Sequence, residues 1–239
     1  MAITKMNGVA ITSATSLLGA ARAQACGVSI QSSYEFIEKF EGSQVDSRGV
    51  TGYDNTGWTS NSATNNPRYA TSPAPLAGSY SYLAAVGFRN DHNFVTSGAN
   101  AYAFFMLWTP TQVANDSIFT IRDSGGTNAL ANVQLRSGNT VRIQCANGSQ
   151  ASGTTALDPA TTYYCWLEYT KGTGANAVVN FYLSTTSTKP GSPTLSITNG
   201  GSTTDAVSVR VSGGSATSVY IFDNIVLDGT KAIGSNPVP

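Results

Sequence analysis

The chain has 239 residues, and 13 Lys and Arg balance 13 Asp and Glu to a net charge of zero. Only 11% of the residues are charged, against about 25% in an average soluble domain. That balance argues against the electrostatic footprint of a nucleic-acid binder and against a polybasic membrane patch, and no apolar run reaches the ~20 residues that span a bilayer.

Hydrophobic residues make up 41% and aromatic residues 10%, ample for a core. The length fits one large β-sandwich plus an arm. The polar surface has to come from Ser, Thr, Asn and Gly, which suit turns and the outer faces of strands. The three cysteines, Cys26, Cys145 and Cys165, are an odd count that describes no disulfide framework. Cys145 and Cys165 read as buried thiols, with a cross-strand disulfide as the alternative.

Residues 1–32 form a segment apart. They are rich in Ala, Ser, Thr and Gly and contain no aromatic residue. Lys5 and the stretch ending Ala21-Arg22-Ala23-Gln24-Ala25 superficially resemble a secretory leader. Asn7, Gly8, Thr12, Ser13, Thr15, Ser16 and Gly19 interrupt it, so the segment reads as an intact arm. Gly8-Val9-Ala10 and Gly27-Val28-Ser29 hint at a degenerate repeat.

From Tyr34 onward the pattern is β. Tyr102, Phe104, Met106 and Trp108 alternate with Ala103, Phe105 and Leu107, which predicts a central strand covered on both faces. Short runs over 118–123, 133–136 and 141–145 are separated by Ser124-Gly125-Gly126 and Ser137-Gly138-Asn139, the marks of hairpins. Runs over 163–170 and 178–183 flank the loop Gly172-Thr173-Gly174-Ala175-Asn176. Val207, Val209 and Val211 alternate with Ser208 and Arg210 to give one buried and one wet face, and 218–227 is a last long strand. Residues 43–78 read as a long polar loop that either carries function or hides short edge strands.

Candidate chemistry is sparse. The single histidine, His92 beside Asp91, has no G-x-S-x-G elbow to serve and reads as a surface-loop residue. The four glutamates are Glu35, Glu38, Glu41 and Glu168. Glu35 and Glu38, like Glu38 and Glu41, have the wrong parity to share a strand face as a glycosidase pair, and the three read as exposed residues flanking Phe36 and Phe40. On these grounds no enzymatic chemistry is expected. A calcium site is the stronger candidate, with Glu41, Asp54 and Asp223 supplying oxygens if the first and last strands pair. The alternative is that Asp223 caps a bulge. Tyr53, Trp58 and Tyr69, in the polar stretch, are candidates for stacking on sugar rings, or for plugging the end of the sandwich.

Several segments together resemble a family. Lys5-Met6-Asn7-Gly8-Val9 is similar to the opening of tailed-bacteriophage particle proteins. Phe40-Glu41-Gly42 with Gly57-Trp58-Thr59 resembles the start of laminin G-like, concanavalin A-like sandwiches. Residues 73–80, 166–174 and 222–227, with Ile233-Gly234-Ser235-Asn236-Pro237, resemble phage versions of that fold. The resemblance implies an all-β, concanavalin A-like (laminin G-like) jelly-roll sandwich over 33–239 with an N-terminal attachment arm over 1–32. Relatives with enzymatic activity carry an E-x-D-x-E strand, which this chain lacks; relatives with a calcium site use acidic residues like Glu41 and Asp223. The functional expectation is a bacteriophage capsid decoration protein on the virion surface. It would dock on the major capsid protein or another virion protein through Lys5, Met6, Asn7, Gly8 and Val9, as a homotrimer. A carbohydrate-binding adhesin contacting host glycans is the alternative, and a glycan-active enzyme the second alternative.

Overall fold

In the computed structural model the chain divides into two compact units, Met1–Ser33 and Tyr34–Pro239. The structure describes residues 5–6, 9–10, 34–45, 51–59 except 56, 68–69, 75–109 except 85, 86 and 88, 115–213 except 125, 127 and 160, and 220–238. In the first unit, β1 (Lys5–Met6) pairs antiparallel with β2 (Val9–Ala10). Asn7, Gly8 and most of the expected arm lie outside the described residues.

The second unit is a sandwich of two antiparallel sheets. The eight-stranded sheet runs from β17 (Leu195–Ile197) through β16 (Val178–Ser184), β15 (Tyr163–Thr170), β10 (Asn100–Trp108) and β19 (Tyr220–Asp228) to β8 (Ser81–Ala84) and β7 (Arg68–Tyr69). β3 (Phe36–Glu38) also pairs with β19. The seven-stranded sheet runs from β14 (Gln150–Ala156) through β13 (Thr140–Cys145), β12 (Ala129–Leu135), β11 (Asp116–Arg122) and β18 (Ala206–Ser212) to β9 (Arg89–Gly98) and β6 (Trp58–Thr59). A small pair joins β4 (Gln44–Val45) to β5 (Thr51–Tyr53). Among its described residues, the polar stretch 43–78 carries the short strands β4 to β7. No helix among the described residues is long and apolar enough to cross a membrane.

Strand pleating decides what each face holds, because successive side chains point to opposite sides. Phe119 and Ile121 of β11, Val133 of β12, Ile143 of β13 and Val209 and Val211 of β18 turn inward and are fully or almost fully buried. From the other sheet, Phe105 meets them: its ring stacks on Phe119 at 4.3 Å and 10°. β10 lies at the centre of its sheet and is covered on both sides. Its other face carries Phe104 and Met106, which form a second apolar layer with Trp166, Val226 and Ile233. The chain's C-terminal segment closes that layer. Trp166 Nε1 donates to the Gly234 carbonyl at 3.0 Å, and Lys189 Nζ lies 4.4 Å above the Tyr182 ring while bonding to Glu168 and the Ile233 carbonyl.

Cys145 and Cys165 are buried free thiols in different sheets, and burial pushes the Cys145 thiol up to about 11. Neither is placed for nucleophilic work.

Because Phe105 joins the two layers at full burial, Phe105→Ala is expected to lower unfolding stability by about 3–5 kcal/mol. Chemical denaturation measures this. A loss under about 1 kcal/mol would place the inter-sheet core elsewhere.

Candidate functional site

The carboxylates singled out from the sequence hold loops. Glu41 Oε1 accepts from the backbone N–H of Ser79 and Tyr80, both at 2.7 Å. Gly78 makes this possible: its φ is +58°, and a Cβ there would stand 2.5 Å from Glu41 Oε1. Asp54 Oδ2 accepts from Lys39 N at 2.8 Å and from Glu41 N at 3.2 Å. Asp223 is fully buried and accepts from Ala77 N, Ser81 Oγ and Asn224 N at 2.7–2.9 Å. It stands where the β10–β19 register shifts, between the stretch of β19 that pairs with β8 and the stretch that pairs with β3. Among the described residues no three His, Cys, Asp or Glu side chains gather to hold a metal ion. Glu41 Oε1, Asp54 Oδ2 and both oxygens of Asp223 bind N–H and O–H donors of the surrounding loops.

The aromatic candidates are also corrected. Tyr53 and Trp58 have no exposed surface, and stacking on a sugar needs an open ring face. Trp58 packs edge-on against Phe36, with ring centroids 4.9 Å apart, and its Nε1 donates to Glu38 Oε2 at 2.9 Å. Tyr53 OH accepts from Asn90 at 3.1 Å. Tyr69 lies in β7 opposite Ser81.

Glu38, expected at the surface, is instead fully buried. Besides Trp58 it accepts from Phe40 N at 2.8 Å and Asp54 N at 2.9 Å. Phe40 sits at φ 60°, a left-handed conformation unusual for an aromatic residue, and Glu38 fixes it there. Burial outweighs these donors and pushes the Glu38 carboxyl up to about 7; Asp223 is raised to about 7 for the same reason. His92, expected in a surface loop, is a buried residue of β9. Its Nδ1 donates to the Gly57 carbonyl at 3.2 Å. Its Nε2 has no hydrogen-bond partner and faces Glu35 Oε1 at 3.8 Å. Burial lowers its pKa.

Polar side chains line the outer face of the seven-stranded sheet, exposed at Gln150 and buried at Thr120 and Asn132. One row crosses six strands in register. Gln150 pairs with Gln144, Gln144 with Asn132, Asn132 with Thr120, Thr120 with Arg210, and Arg210 with Asp91. Five inter-strand steps of about 4.8 Å make a track about 24 Å long. Thr120 Oγ1 donates to Asn132 Oδ1 at 3.1 Å. Arg210 holds Asp91 through Nε at 2.6 Å and Nη2 at 2.9 Å. Gln134 Nε2 donates to Gln144 at 3.1 Å, and Arg142 bridges Gln134 to Gln150. Hydrogen bonds therefore pre-set these side chains. Beside the row, Asn128, Asn132, Gln144 and Cys145 line a cleft of about 250 Å³.

The sequence reading singled out none of these residues as a site, because no two of them form a motif. The available signal was periodic: Thr120, Asn132 and Gln144 stand twelve residues apart, the repeat of a meander of short strands.

No protein-family model matches the sequence, nor does any curated protein. Solved structures share the fold. An endo-β-1,4-glucuronan lyase from the fungus Trichoderma reesei is 11% identical, with 83% of this chain and 96% of that one covered, at a TM-score of 0.55. An alginate lyase from Aplysia kurodai is 6% identical over 82% and 99%, at 0.57. A Bacillus licheniformis β-glucanase is 16% identical over 84% and 100%, at 0.50. At these identities the likeness establishes a concanavalin A-like jelly roll. It also corrects the expectation of no enzymatic chemistry. Proteins named as lyases and a glucanase are built on this fold, and the arguments from His92 and the glutamates concern side chains away from the row. Nothing in these comparisons points to a virion protein.

Glu38 and Asp223 make stability depend on pH. Their folded values, about 7, lie above the ordinary carboxyl values of 4.5 and 3.8. Their contribution is therefore full below the ordinary values and is lost as pH rises through about 7. His92, lowered by burial, acts oppositely and loses its contribution as pH falls below its ordinary 6.5. Glu38→Gln is expected to reduce the loss of stability between pH 5 and 8. At pH 5 it should cost about 1–3 kcal/mol, because its amide N–H₂ faces the Trp58 N–H. Urea titrations at the two pH values check this; an unchanged pH dependence contradicts it.

Proposed function

We propose that this chain is a polysaccharide-active enzyme that holds an extended glycan along the outer face of the seven-stranded sheet. The observation that carries this reading is the polar row from Gln150 to Asp91, in register across six strands. Amides and guanidinium groups at strand spacing suit sugar hydroxyls, which donate and accept at similar intervals. The row is pre-organised, so little side-chain freedom is lost on binding. On the other sheet the C-terminal segment covers the outer face around Phe104, Met106 and Trp166. The fold supports the same reading, as solved structures sharing it are named as polysaccharide lyases and a glucanase.

Within the row, Asp91 is the group able to take up and return a proton. Arg210 fixes both of its oxygens. A positioned acid or base contributes about 10²–10⁴-fold to rate. The test is to incubate the full chain with a panel of acidic and neutral polysaccharides and to follow new reducing ends and unsaturated ends. The reading predicts chain shortening on at least one substrate. It also predicts a drop of about 100-fold or more in Asp91→Asn, with the melting temperature retained. A panel that yields neither kind of end overturns it.

A further inference from the structure

The fold leaves open whether the glycan carries charge. One side chain beside the row speaks to this. Arg122 ends β11 and pairs with Ser208. Its side chain is on the outer face, since Ile121 before it is in the core. Arg210 of the row stands two residues along β18 from Ser208, one diagonal step away.

Arg122, Arg142 and Arg210 on this face are not alike. Arg210 is committed to Asp91 by two bonds. Arg142 is committed to Gln134 and Gln150. Arg122 has neither a hydrogen bond nor an ion pair among the described residues. Its electrostatic neighbours are Arg210, Arg89, Asp91 and Asp123. Counting Arg122 itself, three cations face two anions there. Neither anion is available to it: Asp91 is spent on Arg210, and Asp123 accepts the backbone and side-chain N–H of Asn128. Half-burial and the charge of Arg210 both disfavour the guanidinium, yet arginine does not lose its proton at accessible pH. The result is a half-buried, permanently charged planar fork whose five donors meet no acceptor among the described residues, set beside a track for sugar rings.

We propose that Arg122 receives an acid group of the bound glycan, so that the substrate of the row is an acidic polysaccharide. The inference rests on the glycan reading of the row and names its substrate class. The planar fork matches a carboxylate with two parallel N–H···O bonds. A sulfate ester offers the same oxyanion chemistry from a different source. A neutral glycan would leave the guanidinium as it stands, repelled by Arg210.

The experiment compares three probes on the full-length protein: a polyuronate, a sulfated galactan and a neutral β-glucan. Affinity is measured by calorimetry for the wild type, Arg122→Ala and Arg122→Lys. The expected result is that an acidic chain binds the wild type at least about tenfold more tightly than the neutral one. Arg122→Ala should remove that preference while leaving neutral-chain affinity within about twofold. Arg122→Lys, which keeps the charge but loses the fork, should recover only part of it. Preference for the acidic chain should also weaken as salt is raised. Whichever acidic probe is favoured names the source of the oxyanion. If acidic and neutral chains bind the wild type equally, or if Arg122→Ala leaves the preference intact, this inference is overturned while the glycan reading stands. If no chain binds at all, both fall. The salt response of the wild type alone decides the matter should the alanine variant not fold.

Discussion

The central strands of the seven-stranded sheet turn one face into the core, and the rest of the molecule follows from that pleat. The inward set includes Phe119, Ile121, Val133, Ile143, Val209 and Val211, which meet Phe105 from the opposite sheet. A one-residue slip in any strand would exchange its two faces. The core therefore fixes the register, and the register fixes which polar side chains stand in line outside. Thr120 and Asn132, at the middle of that line, are only 8% and 7% exposed, while Gln150 at its end is open. The hydrogen bonds at the centre therefore act in a less aqueous setting than those at the open end.

The two outer faces have different fates. On the outside of the eight-stranded sheet an apolar patch lies against the C-terminal segment, with Trp166, Lys189 and Glu168 as the fastening points. At the joint between β3, β8 and β19 the backbone cannot satisfy itself, because two short strands share one edge of β19 at a bulge. Buried carboxylates complete that joint. Glu38 ties together Phe40, Asp54 and Trp58, and Asp223 ties the 76–81 segment to β19. Removing a buried acceptor leaves several donors unpaired at once, which is the costly event in a core. These acids hold the N-terminal part of the sandwich in place, and chemistry is not required to explain them.

Long strands were legible in the sequence, because alternation over seven to nine residues has one reading. β10 was recognisable as doubly covered from Phe104 and Met106 against Phe105 and Leu107. The segments β4 to β7 are only two or three residues long, too short for a periodic signal, and they hid in a stretch of polar composition. That composition also misplaced Trp58 and Tyr53: their surroundings in sequence are polar, but their partners Phe36, Glu38 and Asn90 come from elsewhere. Glu38 was misjudged for a related reason. Parity places it on the same face as Phe36, and a buried acid is unusual unless donors converge on it. The row was invisible because its members come one from each of six strands, and only the pairing of those strands makes them neighbours.

The central claim is that the outer face of the seven-stranded sheet is where a glycan lies. Chemical-shift mapping with a soluble oligosaccharide released from a bound polysaccharide tests this most directly. The largest changes are predicted at the side-chain amides of Asn132, Gln144 and Gln150 and at the guanidinium of Arg210. Changes confined to the opposite face, around Tyr164 and Asn224, would contradict it.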